Sequence, residues 1–197
     1  MGATEGKGVP TSLFTCLNCG DLKVGVETIK ISRFRLDMGG LPINNTGTIS
    51  MSENASIALD PAGSADGKYT GITVTGTAGE ALAFGDVIVL DVTAGKWFKG
   101  SVSAVAGADG DLRGGTGMCV LAAAGDGSAT TILLIGTCRA DANFPALTVG
   151  SVIYATTAGD ITTTQPATAD HIIKVLGYAL TADEIYFNPS PDYITHT

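Results

Sequence analysis

Helical periodicity is almost absent from this sequence. Apolar residues do not recur at helical spacing over a dozen positions, and the best short candidate, Ala122–Ala124, is followed at once by Gly125. The sequence also has no run of about 18 apolar residues, and its first residues contain no apolar stretch typical of a signal peptide. We therefore expect no membrane span and no membrane partner, and a protein made in a bacterial cytoplasm.

Basic residues are scarce as well. The 11 Lys and Arg residues stand against 19 Asp and Glu residues, which gives a formal net charge of −8. Because an acidic protein repels a phosphate backbone, we expect no nucleic-acid partner. The charges are distributed unevenly along the chain, since residues 1–36 carry five basic and three acidic groups and are mildly positive.

Residues suited to catalysis do not form a recognisable pattern. The chain has two histidines, and neither His171 beside Asp170 nor His196 near the C-terminus has a partner at the spacing of a catalytic dyad. Gly-x-Ser-x-Gly does not occur, and most aspartates stand where turns are expected. We therefore predict no catalytic residue, no cofactor and no metal site, and a protein that is not an enzyme.

Cysteine is the one chemically suggestive residue type. Cys16 and Cys19 have the C-x-x-C spacing, which leaves three interpretations: a zinc site completed by Cys119 and Cys138, a disulfide within the pair, or ordinary thiols. The last is favoured because Cys119 and Cys138 each stand alone in an apolar stretch typical of a core strand.

The residues that are abundant favour strands. Glycine occurs 27 times among many Thr, Val, Ile and Ala residues, a mixture that suits short strands joined by tight turns. We predict an all-β fold, a small barrel or sandwich. The predicted strands are Val24–Arg35, Gly47–Ser52, Ala55–Leu59, Gly71–Gly76, Asp86–Asp91, Gly117–Ala122, Thr131–Ile135, Ser151–Ala155, Ile172–Tyr178 and Glu184–Phe187.

An internal repeat organises the second half of the chain. Its copies span residues 81–136 and 146–188, and each begins Ala-Leu-x-x-Gly, continues into a strand and reaches a Thr-Ala-Gly turn. Gly85 and Gly150 mark the bend that enters each strand, and Gly95 and Gly159 are free to take positive φ in the turns. Since a hairpin unit with one apolar face cannot bury that face alone, we expect the copies to share a core.

The repeat sets the predicted domain organisation. Residues 1–35 are predicted to form an extended N-terminal arm, 36–70 a turn-rich β segment, and 71–197 the barrel or sandwich. The basic residues of the arm are candidate contacts to an acidic partner: Lys23, Lys30, Arg33 and Arg35. Trp97 and Phe98 are further candidate partner-binding residues, although Trp97 is equally suited to closing the end of a small barrel.

Two segments carry a family resemblance. The stretch Ala81–Trp97, with Gly85-Asp86-Val87-Ile88, and the stretch Val175–Tyr193 resemble β-rich structural proteins of tailed bacteriophages, in particular head decoration (cement) proteins. The resemblance covers residues 71–193 and little of 1–70. It implies a non-enzymatic virion protein on the capsid surface, with the major capsid protein and further copies of itself, often as a homotrimer, as partners.

Two functions follow from the resemblance. A decoration protein would bridge subunits on the outside of the capsid lattice and stabilise the head. A tail fibre, tip or baseplate module would use a similar barrel to bind a host glycan or a tail protein. The sequence favours the head, because it lacks the heptads and long repeats typical of fibres.

Overall fold

The computed structural model describes residues 65–197 together with Glu53, Ser56, Ile57 and Leu59. These residues form eleven strands and no helix, which confirms the predicted all-β class. The strands are β1 (Lys68–Thr77), β2 (Val87–Leu90), β3 (Trp97–Lys99), β4 (Thr116–Leu121), β5 (Ala129–Arg139), β6 (Val152–Ala155), β7 (Ile161–Thr162), β8 (Ile172–Ile173), β9 (Gly177–Ala179), β10 (Glu184–Phe187) and β11 (Ile194–Thr195).

Nine of these strands form one sheet that curls into a half-barrel. Its order is β3-β2-β4-β5-β10-β9-β6-β7, and β1 pairs with the other side of β5. The two remaining strands, β8 and β11, pair with each other. All the pairings between named strands are antiparallel, as expected for a chain built from hairpins.

The strand order is the same in the two repeat copies. Starting from the central β5–β10 pair, the first copy runs outward as β5-β4-β2-β3 and the second as β10-β9-β6-β7. The glycines at matching positions have matching backbones, since φ is +90° at Gly85 and +81° at Gly150. Because L-residues with a side chain rarely adopt such values, glycine is the residue that permits this bend in both copies.

The sheet buries side chains on both of its faces. Val87 and Val89 of β2 enter the larger cluster on the inner face, which also contains Leu133, Ile153 and Phe187. Ile88, between them in sequence, enters a smaller cluster on the outer face. The smaller cluster joins seven buried residues from the first repeat copy and its flanks: Ala78, Leu82, Ile88, Trp97, Cys119, Ala123 and Ile132.

Some predictions differ from the structure in their boundaries. The stretch predicted as one strand, Ile172–Tyr178, is divided into β8 and β9, and Lys174 lies in the intervening turn with its ammonium group buried. The short strands β3, β7 and β11 were not predicted. The predicted N-terminal arm, the strands Val24–Arg35 and Gly47–Ser52, and Cys16 and Cys19 lie outside the described residues.

Candidate interaction surface

The predicted partner-binding residues fall in two regions. Lys23, Lys30, Arg33 and Arg35 lie outside the described residues. Trp97 and Phe98 lie next to each other in β3, with their side chains against different parts of the fold.

Trp97 is buried within the protomer. It exposes 7 % of its surface and packs in the smaller cluster with Ile88 and Ile132. Glycine makes room for the indole, since a Cβ built on Gly76 would lie 2.6 Å from Trp97 Nε1. Phe98 is half-buried, with its ring directly over Gly79. Because Trp97 is buried, closing the end of a small barrel is the favoured interpretation of this residue, and anchoring a partner is the less favoured one.

The aspartates of the first repeat copy are used by its turns. Asp91 accepts a hydrogen bond of 2.9 Å from the Thr93 N–H inside the Thr-Ala-Gly turn. Asp86 accepts a bond of 2.8 Å from the Ala83 N–H and pairs with Lys99 at 3.1 Å. These carboxylates therefore hold the backbone in place, as the turn interpretation of the sequence requires.

Asp111 organises the longest loop of the first copy. Burial acts to raise the pKa of this carboxyl, but N–H donors of Gly107 and Arg113 and the Arg113 guanidinium outweigh it and hold the pKa below its usual value. The Arg113 Nη1–Oδ1 distance is 3.0 Å. The carboxylate is thus already occupied by donors of its own loop.

Lys174 fixes the same loop from the other side. Its buried ammonium group donates to the carbonyl oxygens of Leu112 and Gly114, each at 3.0 Å, and to Thr116 Oγ1 at 2.9 Å. Removal from water lowers the pKa of Lys174, with a smaller opposing effect from Asp111. All three donors of the ammonium are satisfied, so Lys174 holds the loop and leaves no donor for a ligand.

Metal-binding side chains do not converge in the part of the chain that the structure describes. No three His, Cys, Asp or Glu residues there could hold an ion. The His196 N–H donates a backbone hydrogen bond of 2.8 Å to the His171 carbonyl oxygen, so the two histidines lie opposite each other. Among the described residues, no third metal-binding side chain joins them. Cys119 and Cys138 are buried free thiols that pack in different clusters.

An uncharged row of side chains crosses the outer face of the sheet, from β6 in the second repeat copy to β1. Strand register places its members directly opposite one another on successive strands, so they share one face of the sheet. We call this set the outer row: Val152, Tyr178, Tyr186, Thr137 and Thr70. Val152 is 40 % exposed and Tyr178 is 46 % exposed, and the Tyr178 and Tyr186 rings lie 5.3 Å apart.

An apolar groove of about 430 Å³ extends the outer row along β1 and β5. Ile72 of β1 and Ile135 of β5 face each other, each two residues along its strand from a member of the outer row. Ile57 and Leu59 line the same groove. Ile72 is 62 % exposed. The row and the groove meet at Thr70 and together form an uncharged surface on an acidic protein, in which Thr137 is buried and the other side chains are at least partly exposed.

Two glycines bring β1 and β5 together beside the groove. Gly71 and Gly136 are register partners, and a Cβ built on either would lie 2.7 Å from the Cα of the other. The register then shifts between Ile72 and Thr73, so that Leu134 of β5 is an extra residue, a β-bulge. The close approach and the bulge were not predictable from the sequence, because both depend on which strand lies opposite.

The sequence matches no protein-family model and no curated protein. Among the described residues, no helix is long and apolar enough to cross a membrane.

Proposed function

We propose that this protein is a bacteriophage capsid decoration protein, a non-enzymatic structural component that binds the outer surface of the capsid lattice. The observation that carries the proposal is the uncharged surface formed by the outer row and the apolar groove. Exposed apolar surfaces of this kind are typical of protein–protein interfaces, and tyrosine is among the residues enriched at their centres.

The sequence resemblance supplies the partner. Decoration proteins resembling residues 71–193 bind the major capsid protein, and the proposal assigns the outer row to that contact. The polar side chains of the first repeat copy described above hold its loops, so they are engaged within the protomer. Many weak contacts repeated over a lattice stabilise the particle through avidity.

The test is to add the purified full chain to phage heads stripped of their decoration protein and to image the particles. Regular density over the icosahedral shell is the expected result. Density confined to the tail would favour the fibre or baseplate function instead, and the absence of binding to whole particles would contradict both.

A pair of substitutions tests the surface itself. Val152→Asp places a charge in the outer row, whereas Val92→Asp places the same charge on a turn residue that is 85 % exposed and outside the row. We expect at least about tenfold weaker binding to heads for Val152→Asp, because a desolvated charge without a partner costs several kcal/mol at an interface. Val92→Asp should bind as the unchanged protein does. Equal binding by the two variants would remove the outer row from the proposal.

A further inference from the structure

We infer that two copies of this chain pair through the outer edge of β1, antiparallel and about a two-fold axis at Thr73. This inference concerns the edge of the sheet, and it does not depend on the capsid contact proposed for the outer face.

The outer edge of β1 has no partner among the described strands. β1 pairs with β5 along all ten of its residues, and no described strand pairs with its other edge. The edge is taken only beyond the strand, where Ala78 forms a bridge with Trp97 and the Gly79 N–H donates to the Trp97 carbonyl. From Tyr69 to Thr77, this edge has no partner strand among residues 65–197.

This edge lacks the features that prevent pairing with another strand. Natural edge strands are protected by proline, by charged side chains, by bulges on the edge strand or by short length. β1 is ten residues long, contains no proline and has one charged residue, Lys68, at its end. The bulge beside it inserts its extra residue into β5 and none into β1.

The side chains of β1 complement themselves in one antiparallel register. Residues that face each other in an antiparallel pair direct their backbone groups either both toward the partner strand or both away from it. A two-fold symmetric pair therefore places one residue opposite its own copy. With Thr73 opposite Thr73, Ile72 of each copy lies opposite Val74 of the other. This register brings together four β-branched apolar side chains that are exposed in one protomer, where Ile72 is 62 % and Val74 is 40 % exposed.

The remaining pairs in this register are compatible. Tyr69 faces Thr77, Thr70 faces Gly76 and Gly71 faces Thr75, and none of these residues is charged. Although the chain has a net charge of −8, no charged side chains would face each other along residues 69–77 of the two copies. Because the axis is perpendicular to the sheet, both copies display their outer rows on the same side of one continuous sheet.

The first experiment measures the mass of the full chain by light scattering on a size-exclusion column over a range of concentrations. A chain of 19.9 kDa is expected to give a dimer of twice that mass that dissociates on dilution. A monomer at every concentration would overturn the inference, and so would a trimer whose mass does not change when β1 is altered.

The second experiment tests the register by charge complementation. The double variant I72K/V74K and the double variant I72E/V74E should each be monomeric, because like charges then face each other across the axis. An equal mixture of the two should form a dimer, because ammonium groups at position 72 then face carboxylates at position 74. Val92→Lys is the matched control at an exposed position outside β1 and should remain dimeric.

Circular dichroism and thermal melting verify that the variants are folded. A folded I72K/V74K variant that stays dimeric, or a mixture that stays monomeric, would overturn the register. Neither measurement uses phage heads, so its outcome is separate from that of the capsid-binding experiment.

Discussion

Glycine determines where the aromatic side chains of this protein can pack. Gly76 and Gly117 both lie against the indole of Trp97, and Gly79 lies beneath the ring of Phe98. A methyl group at these positions would occupy space that the rings already fill. The burial of Trp97 is thus set by residues about 20 positions away on each side as much as by its own strand.

Gly76→Ala tests this packing. A Cβ there would lie 2.6 Å from Trp97 Nε1 and 2.9 Å from Ile132 Cδ1, so the indole must move. We expect a loss of about 1–3 kcal/mol in the free energy of unfolding, as for other overpacked cores. Trp97 is the only tryptophan, so its fluorescence emission should shift to longer wavelength. Gly125→Ala, at a site with open space, is the control and should leave both quantities nearly unchanged.

Cys138 couples stability to alkaline pH. Burial, with smaller contributions from the charges of Glu184 and Cys119, raises the pKa of its thiol from 9.0 to about 12. The thiol therefore ionises first in the unfolded chain, so its contribution to stability is complete below pH 9.0 and is lost between pH 9.0 and about pH 12.

The measurable consequence is a difference in slope. Between about pH 8 and 10.5, Cys138 should account for a loss of about 2 kcal/mol in the free energy of unfolding. The variant Cys138→Ala retains Cys119. Over the same pH range, its free energy of unfolding, measured by urea unfolding, should fall less than that of the unchanged protein, by about 2 kcal/mol. Parallel declines in the two proteins would show that the buried thiol does not carry the effect.

At the scale of the element, the long loop between β3 and β4 depends on one buried lysine. Lys174→Met keeps the side-chain volume similar but leaves the carbonyls of Leu112 and Gly114 without the ammonium donor. Unsatisfied buried carbonyls cost about 1–3 kcal/mol each, partly offset because the charge is no longer buried, so we expect a net loss of about 2 kcal/mol.

The matched control is Lys96→Met, which breaks an exposed ion pair with Asp126. Exposed pairs contribute about 0–1 kcal/mol, so its free energy of unfolding should change little. Hydrogen exchange should also become faster at the N–H groups of the loop in Lys174→Met alone. If the two variants lose the same stability, Lys174 does not hold the loop.

The predictability of each element follows from its length and its surroundings. Glu184–Phe187 was predicted with the bounds that the structure shows, and three of its four residues are buried. Trp97–Lys99 and Ile161–Thr162 are too short to show a period, and their strand character comes from pairing with β2 and β6. The repeat was visible because glycine is required at the same bends in both copies.

The candidate surface was harder to predict than the strands. Val152, Tyr178 and Tyr186 lie on three different strands, and only the register of those strands brings them into one row. A shift of one residue in any strand would turn its side chains to the opposite face. The basic and aromatic residues predicted to bind a partner can each be recognised individually in the sequence. A surface formed by residues from several strands has no such pattern in the sequence.

At the scale of the whole molecule, the proposed capsid attachment could use either of two kinds of contact, and salt affects them differently. The basic residues predicted to contact a partner, Lys23, Lys30, Arg33 and Arg35, would bind by charge, and salt screens such contacts over roughly 10 Å at 0.1 M. The outer row is uncharged, and burial of apolar surface does not weaken as salt rises. The response of the affinity to salt therefore separates the two kinds of contact.

We expect binding to stripped heads to persist as sodium chloride rises from about 0.1 to 1 M, because the proposed contact is apolar. A sedimentation assay with heads gives the affinity at each salt concentration. The variant K23Q/K30Q/R33Q/R35Q is the control, and it should bind as tightly as the unchanged chain. If binding instead falls steeply with salt and the quadruple variant fails to bind, the basic residues make the attachment. The outer row would then be a surface for some other contact.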